Sequence, residues 1–222
     1  TKLVHIFCLR YMLTSCSYIF SMHHKIKKYC SEYCIMENFT TSTYLTDEDE
    51  EVLAVLTQRI NAERNGSKRL VLVVGRNVIL KNFKFVADAF IEMPDVVVIH
   101  FGEIQPVGEI YNIKHFGYIQ NNILISLMKL FDYVCVPSLV EAAPTITLEA
   151  LNNDIPVIVS DIEAHIGVSD KFKFNPESKK SILSCFKAMI QEGDANNEVR
   201  LSPEATSRIE MVERMNAWLS RR

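Results

Sequence analysis

The sequence predicts an α/β fold in which a parallel sheet is covered by helices on both faces. The chain has 222 residues, 48% of them hydrophobic, which is enough to bury the core of one ordinary domain. From about residue 69 onward, continuous apolar runs alternate with amphipathic segments. Continuous runs are typical of parallel strands that are buried on both faces, and the segments between them supply the crossover helices.

The elements follow one another in alternating order after residue 68. The run RLVLVVG at residues 69–75 predicts the first strand, and residues 81–93 predict a helix that Pro94 ends. The apolar side chains on one side of this helix are Phe83, Val86, Ala87 and Phe90. Further strands are predicted at residues 95–101, 113–119, 133–137, 155–160 and 172–174. Further helices are predicted at residues 121–131, 144–152 (with Pro144 in the first turn), 178–191 and 203–220.

The part of the chain before this alternation has a different character. Residues 47–64 predict a helix with Thr46 as its N-cap, acidic residues in its first turn and Gly66 beyond its end. Carboxylates near a helix N-terminus suit the helix dipole, so this acidic run is interpreted as a helix start rather than a metal site. Residues 1–45 show no clear period.

Composition and charge exclude several classes of protein. The formal net charge is −3, and no stretch concentrates Lys and Arg into a stripe, so nucleic acid is not expected as a partner. Six Cys at irregular spacing are too few for a disulfide scaffold. The apolar stretch at residues 11–22 is too short to span a bilayer, and no cleavage site follows it. A reducing, cytoplasmic location is therefore expected.

Motifs for other chemistries are missing or poorly spaced. No G-x-G-x-x-G follows a strand, and there is no Walker A or G-x-S-x-G sequence, which argues against nicotinamide enzymes, nucleoside triphosphatases and serine hydrolases. His23, His24, Cys30 and Cys34 invite a zinc interpretation, but their spacing fits none of the usual structural patterns. No metal site is predicted.

A first candidate ligand segment follows the strand at residues 69–75. Gly75 and Arg76 end the strand, and Lys81 stands near the start of the next helix. Cations beside free helix N–H groups form a site for a diphosphate. The alternative is that both cations are simply solvated.

A second segment runs from a strand end into the helix near Pro144. Ser138 ends the strand, and Ala142, Ala143 and Thr145 are small enough for an anion to approach the backbone N–H groups. Glu141 precedes the helix and would face whatever lies over its tip, whereas Glu149 lies inside the helix and could accept hydrogen bonds from a diol such as ribose. From spacing alone, two surface acids are the more economical interpretation.

The third segment is Phe116-Gly117-Tyr118-Ile119. Gly117 permits close approach, and Tyr118 offers a flat face to a nucleobase. The alternative is a strand-end turn with a core aromatic residue.

With these three segments in this order, residues 69–192 resemble the carboxy-terminal half of retaining glycosyltransferases with the GT-B fold. The type they resemble is family 4, or glycosyl transferases group 1. The resemblance rests on VVGRNVILKNFKFVADAF (73–90), HFGYI (115–119) and FDYVCVPSLVEAAPTITLEALNNDIPVIVSDI (131–162). The last segment contains the E-x7-E pair Glu141 and Glu149 between a strand that ends in PS and a PVIVS strand. The implied fold is a Rossmann-like sheet.

The resemblance implies a role for each candidate residue. Arg76 and Lys81 look like the pair that neutralises the donor diphosphate, and Glu141 looks like the acid that contacts the transferred sugar. Together these three would form the catalytic set. Donor binding would fall to Gly75, Tyr118, Ile119, Ser138, Ala142, Ala143, Pro144, Thr145 and Glu149, with Glu149 on the ribose and with Tyr118 and Ile119 at the base. Family members usually need no metal, so no cofactor is expected; the substrate would be a UDP- or GDP-linked sugar.

The sequence departs from the family pattern at three points. Ala142 stands where Gly is common, and Asn152-Asn153-Asp154 replaces a small-Cys-Gly turn, although Asn and Asp tolerate left-handed conformations. The third departure is length, because a GT-B enzyme has two Rossmann-like domains. The expected divisions are 1–45 (remnant of the N-terminal domain, with residues 16–29 as its last strand and helix), 46–68 (helix and linker), 69–200 (nucleotide-sugar-binding domain) and 201–222 (crossing helix). We therefore expect a piece of a longer protein or a naturally shortened chain.

The expected function is the donor-binding half of a retaining glycosyltransferase that moves a hexose to an acceptor hydroxyl, with little transfer by this chain alone. The acceptor, a glycan, lipid or protein, is left open, as are peripheral membrane association and homo-oligomers. A degenerate GT-B module that binds a partner chain or a nucleotide is the alternative, and a sugar-nucleotide epimerase is a weaker one.

Overall fold

A computed structural model describes residues 20–21, 34–35, 44–64, 68–76, 78–103, 113–141, 144–165 and 168–192. The chain divides into two compact units, Thr1–Thr40 with Glu204–Arg222, and Thr41–Pro203. In the first unit, strand β1 (Phe20–Ser21) pairs in parallel with β2 (Cys34–Ile35). The helix predicted at 203–220 and most of the strand and helix predicted at 16–29 lie outside the described residues. The four predicted divisions of the chain stay predictions.

The second unit contains a six-stranded sheet flanked by helices. Its strands are β3 (Arg69–Val74), β4 (Val96–Phe101), β5 (Ile113–Gly117), β6 (Tyr133–Val136), β7 (Val157–Ser160) and β8 (Lys173–Phe174). Its α-helices are α1 (Asp47–Glu63), α2 (Phe83–Phe90), α3 (Asn121–Leu127), α4 (Thr145–Asn152) and α5 (Lys179–Glu192). No helix in the described ranges is both long enough and apolar enough to cross a membrane.

The strand order in this sheet is β5-β4-β3-β6-β7-β8, and every neighbouring pair is parallel. From β3 the chain therefore adds β4 and β5 on one side, and it then crosses back to add β6, β7 and β8 on the other side of β3. Ligands of such open sheets bind beyond the carboxyl ends of the strands where the order reverses. That place is the end of β3 next to the end of β6.

Burial explains why the strands are almost entirely apolar. Every residue of β4, β6 and β7 is buried, as the continuous runs in the sequence predict for strands covered on both faces. The apolar side of α2 is buried as predicted, and its Phe90 ring meets Phe186 of α5 at a centroid distance of 5.0 Å. The predicted α/β Rossmann-like fold is thus confirmed.

The start of α1 also follows the prediction. Thr46 is the N-cap, its side chain accepts a hydrogen bond from the Asp49 backbone N–H, and the Asp49 carboxylate accepts one from the Thr46 backbone N–H. This reciprocal pair satisfies two N–H groups that the helix leaves unpaired. The acidic run begins a helix, as its composition indicated.

Several predicted element boundaries were wrong by one to three residues. The helix predicted at 81–93 is a 3-10 turn (Ile79–Lys81) followed by α2, because Asn82 takes a left-handed conformation with φ 54° between them. Pro144 is the extended N-cap of α4 rather than a residue of its first turn. The turn after α4 keeps its shape without Gly, since Asp154 adopts φ 56°.

Candidate functional site

Glycines bring the ends of β3 and β4 together. Gly75, directly after β3, has φ 145°, and Gly102, directly after β4, has φ 150°. A Cβ on Gly102 would lie 1.9 Å from the carbonyl oxygen of Gly75, so a side chain there would overlap the backbone of the β3 end. The Lys81 side chain lies within van der Waals reach of a Cβ built on Gly75, at 3.5 Å. Gly102 is a site-forming residue that the sequence did not single out.

A buried histidine supports the same strand end. The Nε2 of His100 lies 2.8 Å from the Gly75 carbonyl oxygen, and its Nδ1 lies 3.2 Å from the Nδ1 of His115. Burial, with a smaller contribution from the nearby His115, lowers the pKa of His100 to about 4, although the hydrogen bond to Gly75 acts in the opposite direction. His100 is therefore neutral near pH 7. Because a carbonyl only accepts, Nε2 carries the hydrogen and donates it to Gly75.

At the end of β6, Ser138 contacts Glu141 and is itself bonded by Ser160. The Ser160 hydroxyl, at the end of β7, donates a 2.6 Å hydrogen bond to the carbonyl oxygen of Ser138. The Ser138 hydroxyl donates to the Glu141 Oε1 at 2.8 Å. Both serines are buried, so these bonds are shielded from competing water. The Ser138 hydroxyl therefore binds the Glu141 carboxylate from the buried side.

The two loops meet where the strand order reverses. The Lys81 ammonium forms an ion pair with the Glu141 Oε1, and the backbone N–H of Leu139 donates to the Leu80 carbonyl at 2.8 Å. The Lys81 side chain is 33% exposed and that of Glu141 is 14% exposed. A cation from the β3 loop and an anion from the β6 loop thus share one partly shielded position.

Glu149 is set apart from this pair. It lies in α4 and is only 5% exposed, and its Oε1 accepts a 3.0 Å hydrogen bond from the Asn121 side-chain amide at the start of α3. Burial raises the pKa of Glu149, and the bond from Asn121 opposes that rise. Asn121 had no place in the sequence-based site.

The remaining predicted residues have simple positions. Arg76 follows Gly75 and is exposed, Tyr118 is 80% exposed, and Ile119 is half-buried against the core. Pro144 and Thr145 form the start of α4. Ala142 and Ala143 lie outside the described residues. The structure therefore joins Lys81, Ser138 and Glu141 directly, and places Glu149 with Asn121.

His165 was also missed from sequence. It is 2% exposed, and neither ring nitrogen has a hydrogen-bond partner among the described residues. Burial lowers its pKa to about 4, Lys173 acts in the same direction, and the nearby Glu141 and Asp161 carboxylates oppose the shift. The ring is neutral near pH 7 and lies within the electrostatic reach of Glu141. His165 is a single His in a short turn and belongs to no sequence motif, so nothing in the sequence distinguishes it as a functional residue.

In the ranges that the structure covers, no group of three or more His, Cys, Asp or Glu side chains could hold a metal ion. Of the residues weighed for zinc, His23, His24 and Cys30 lie outside those ranges, and only the backbone of Cys34 is described.

Comparison with solved structures shows extensive similarity at low identity. The sucrose-phosphate synthase of Thermosynechococcus elongatus aligns over 98% of this chain and 61% of its own with a TM-score of 0.72 and 12% identity. Anabaena HepE in complex with UDP and glucose aligns over 93% and 64% with a TM-score of 0.75 and 14% identity. A Rickettsia africae glycosyltransferase aligns over 91% and 63% with a TM-score of 0.67 and 14% identity. The chain spans about three fifths of the length of these proteins.

A sequence-level match supplies the family. No curated protein sequence matches the chain significantly. The family model described as "Glycosyl transferases group 1" matches residues 56–173, just over half of the chain and the part that contains β3 to β7 with both loops of the site. The chain belongs to the glycosyl transferases group 1 family, and its larger unit has the Rossmann-like fold of GT-B glycosyltransferases.

Proposed function

We propose that this chain is the donor-binding half of a retaining glycosyltransferase that transfers a hexose from a nucleoside diphosphate sugar to an acceptor hydroxyl. The observation that carries the proposal is the meeting of Lys81 and Glu141 where the strand order reverses. A family match by itself does not say which ligand the loops bind. A cation and an acid held together at that edge of the sheet are suited to a ligand with both phosphates and hydroxyls.

The diphosphate would lie between Lys81, Arg76 and the start of α4. An ammonium has three donors, so Lys81 can keep its bond to Glu141 and still bind a phosphate oxygen. A helix leaves its first backbone N–H groups without acceptors inside the helix, so those that open α4 would be available to an anion, except that of Thr147, which donates to the Pro144 carbonyl at 3.3 Å. Together these groups supply positive charge, and we propose that they serve in place of a metal ion.

The sugar and the nucleoside would extend in opposite directions from the phosphates. Glu141 would accept hydrogen bonds from hydroxyls of the transferred hexose, and Glu149 from the ribose. Tyr118 is mostly exposed, which leaves one face of its ring available to a base. Solved structures of HepE contain UDP, or UDP-glucose, which makes UDP the first nucleotide to test here.

In the transfer step, the bond between the anomeric carbon and the phosphate oxygen breaks, and its electron pair stays on the diphosphate. The acceptor oxygen forms the new bond on the same face of the sugar, and its proton passes to the departing phosphate. Lys81 and Arg76 would stabilise the negative charge that develops on that phosphate, which lowers the barrier. The configuration of the anomeric carbon is then retained.

Calorimetric titration of the full chain with UDP, UDP-glucose and GDP tests the proposal. We expect the wild type to bind one nucleotide, Lys81→Ala to weaken the affinity by roughly tenfold or more, and addition of EDTA to leave it unchanged. Lys84→Ala is the matched control, because Lys84 pairs with Asp88 on the exposed side of α2. Absence of binding to every nucleotide, or equal losses in the Lys81 and Lys84 variants, would overturn the proposal and favour a non-catalytic module.

A further inference from the structure

We propose that Asn121 is a specificity-determining positioning residue, which holds the Glu149 carboxylate in the orientation that accepts the ribose hydroxyls of the donor. The inference rests on the proposed function, since it concerns the nucleoside end of the same site. Neither the sequence pattern nor the family resemblance pointed to this residue.

The contact joins two elements that are distant in the sequence. Asn121 is the first residue of α3, which follows β5 and the Tyr118 segment, whereas Glu149 belongs to α4 after β6. The Asn121 Nδ2 donates to the Glu149 Oε1 over 3.0 Å. Glu149 in turn has its backbone carbonyl bonded by the Asn153 side-chain amide at 2.8 Å. Its position is thus fixed at both the backbone and the carboxylate.

The acceptor capacity of the carboxylate leaves room for a ligand. An ionised carboxylate has about four acceptor sites on two oxygens, and Asn121 uses one of them. A freely rotating buried carboxylate would have to lose that freedom on binding, whereas one held by an amide is ordered in advance. The bond from Asn121 also favours the ionised form of Glu149, which is the form suited to accept hydrogen bonds from a diol.

The two hydrogen-bonded partners differ in exposure, and Asn121 lies close in sequence to Tyr118. Glu149 is almost completely buried, while Asn121 is exposed and lies three residues after Tyr118. The β5–α3 segment therefore carries both the candidate base platform and the group that orients the candidate ribose acceptor. This arrangement fits a nucleoside whose base lies on Tyr118 and whose ribose lies toward α4.

The neighbouring asparagine provides a matched control. Asn122 is in the same turn of α3, but its side-chain amide donates to Asp49 of α1 and to the Tyr44 carbonyl, both at 3.0 Å. Replacing either asparagine by Leu removes one amide and one bond to a carboxylate from the same helix start, and Asn122→Leu also removes the bond to the Tyr44 carbonyl. Only the Asn121 change alters the surroundings of Glu149.

The test compares UDP with 2′-deoxy-UDP, and GDP with 2′-deoxy-GDP, in the full chain by calorimetric titration. For the preferred base, we expect the wild type to favour the ribonucleotide by roughly tenfold, the size of one hydrogen bond to a charged group. Asn121→Leu should reduce this preference to about twofold or less, Asn121→Gln should restore part of it, and Asn122→Leu should keep the wild-type ratio.

The outcomes separate this inference from the proposed function. If Asn121→Leu binds nucleotides with the wild-type preference for ribose, the inference fails while the donor site stands. If Asn122→Leu reduces the preference as much as Asn121→Leu does, the effect is structural and the inference also fails. If the wild type binds neither ribo- nor deoxyribonucleotides, the proposed function falls and this inference with it.

Discussion

At the scale of single residues, Glu149 shows a conflict between stability and the proposed chemistry. Its carboxylate is buried in α4, and burial raises its pKa above the value in the unfolded chain. A group with a raised pKa in the folded state contributes stability at low pH, and this contribution is lost as the pH rises through the folded pKa. The ionised form of Glu149 therefore costs stability at pH values above the folded-state pKa, yet it is the form that would accept hydrogen bonds from the ribose hydroxyls.

Glu149→Gln should separate the two effects. Since the amide oxygen can still accept from Asn121, we expect the variant to unfold at a higher temperature than the wild type at pH 8, and the difference to shrink toward pH 4. Nucleotide affinity should fall at the same time, because the amide offers fewer acceptors to a diol. Calorimetric melting across this pH range measures the first effect. A variant that melts below the wild type at pH 8 would contradict the charge-burial argument.

Ser138 offers a second residue-level prediction. Its hydroxyl donates to Glu141 from a buried position, so Ser138→Ala removes one bond from the acid expected at the sugar. We expect affinity for UDP to stay within about twofold and affinity for the matching UDP-sugar to drop by several-fold. Ser126→Ala is the control, since the Ser126 hydroxyl donates within α3 to the Asn122 carbonyl. Equal losses of affinity for UDP and for the UDP-sugar would show that Ser138 supports the fold in general and not the sugar position in particular.

At the scale of elements, local signals in the sequence account for most of the fold but not for the contacts between loops. The apolar runs predict β3, β4, β6 and β7, and Thr46 predicts the start of α1, because these features depend on neighbouring residues only. The Gly102 contact with Gly75 and the Asn121 bond to Glu149 depend instead on which strands are adjacent. No local pattern encodes that adjacency, so neither Gly102 nor Asn121 was predicted.

The glycine contact between the ends of β3 and β4 can be tested with a matched pair. Gly102→Ala meets the Gly75 carbonyl oxygen, whereas a Cβ on Gly117, with φ 78°, meets nothing within 4 Å. We expect Gly117→Ala to lower the free energy of unfolding by about 1–2 kcal/mol, the cost of a left-handed Ala, and Gly102→Ala to cost clearly more. Urea denaturation gives both values. A Gly102→Ala loss no larger than that of Gly117→Ala would show that the strand ends separate at little cost.

At the scale of the whole molecule, the candidate site depends on the reversal of strand order between β3 and β6. Lys81, Ser138 and Glu141 come from segments about 60 residues apart, and Glu141 pairs with Lys81 across that reversal. Sequence reasoning identified Lys81 and Glu141 because both follow strand ends, and the resemblance to glycosyltransferases supplied their roles. Their direct ion pair could not be read from the sequence, since it requires both loops in three dimensions.

Crystals of the full chain soaked with UDP would show where the nucleotide binds. We expect phosphate oxygens within hydrogen-bond distance of the Lys81 ammonium and the first backbone N–H groups of α4, with a ribose hydroxyl on the Glu149 carboxylate. UDP bound away from the ends of β3 and β6, or with its phosphates out of reach of Lys81, would contradict this expectation.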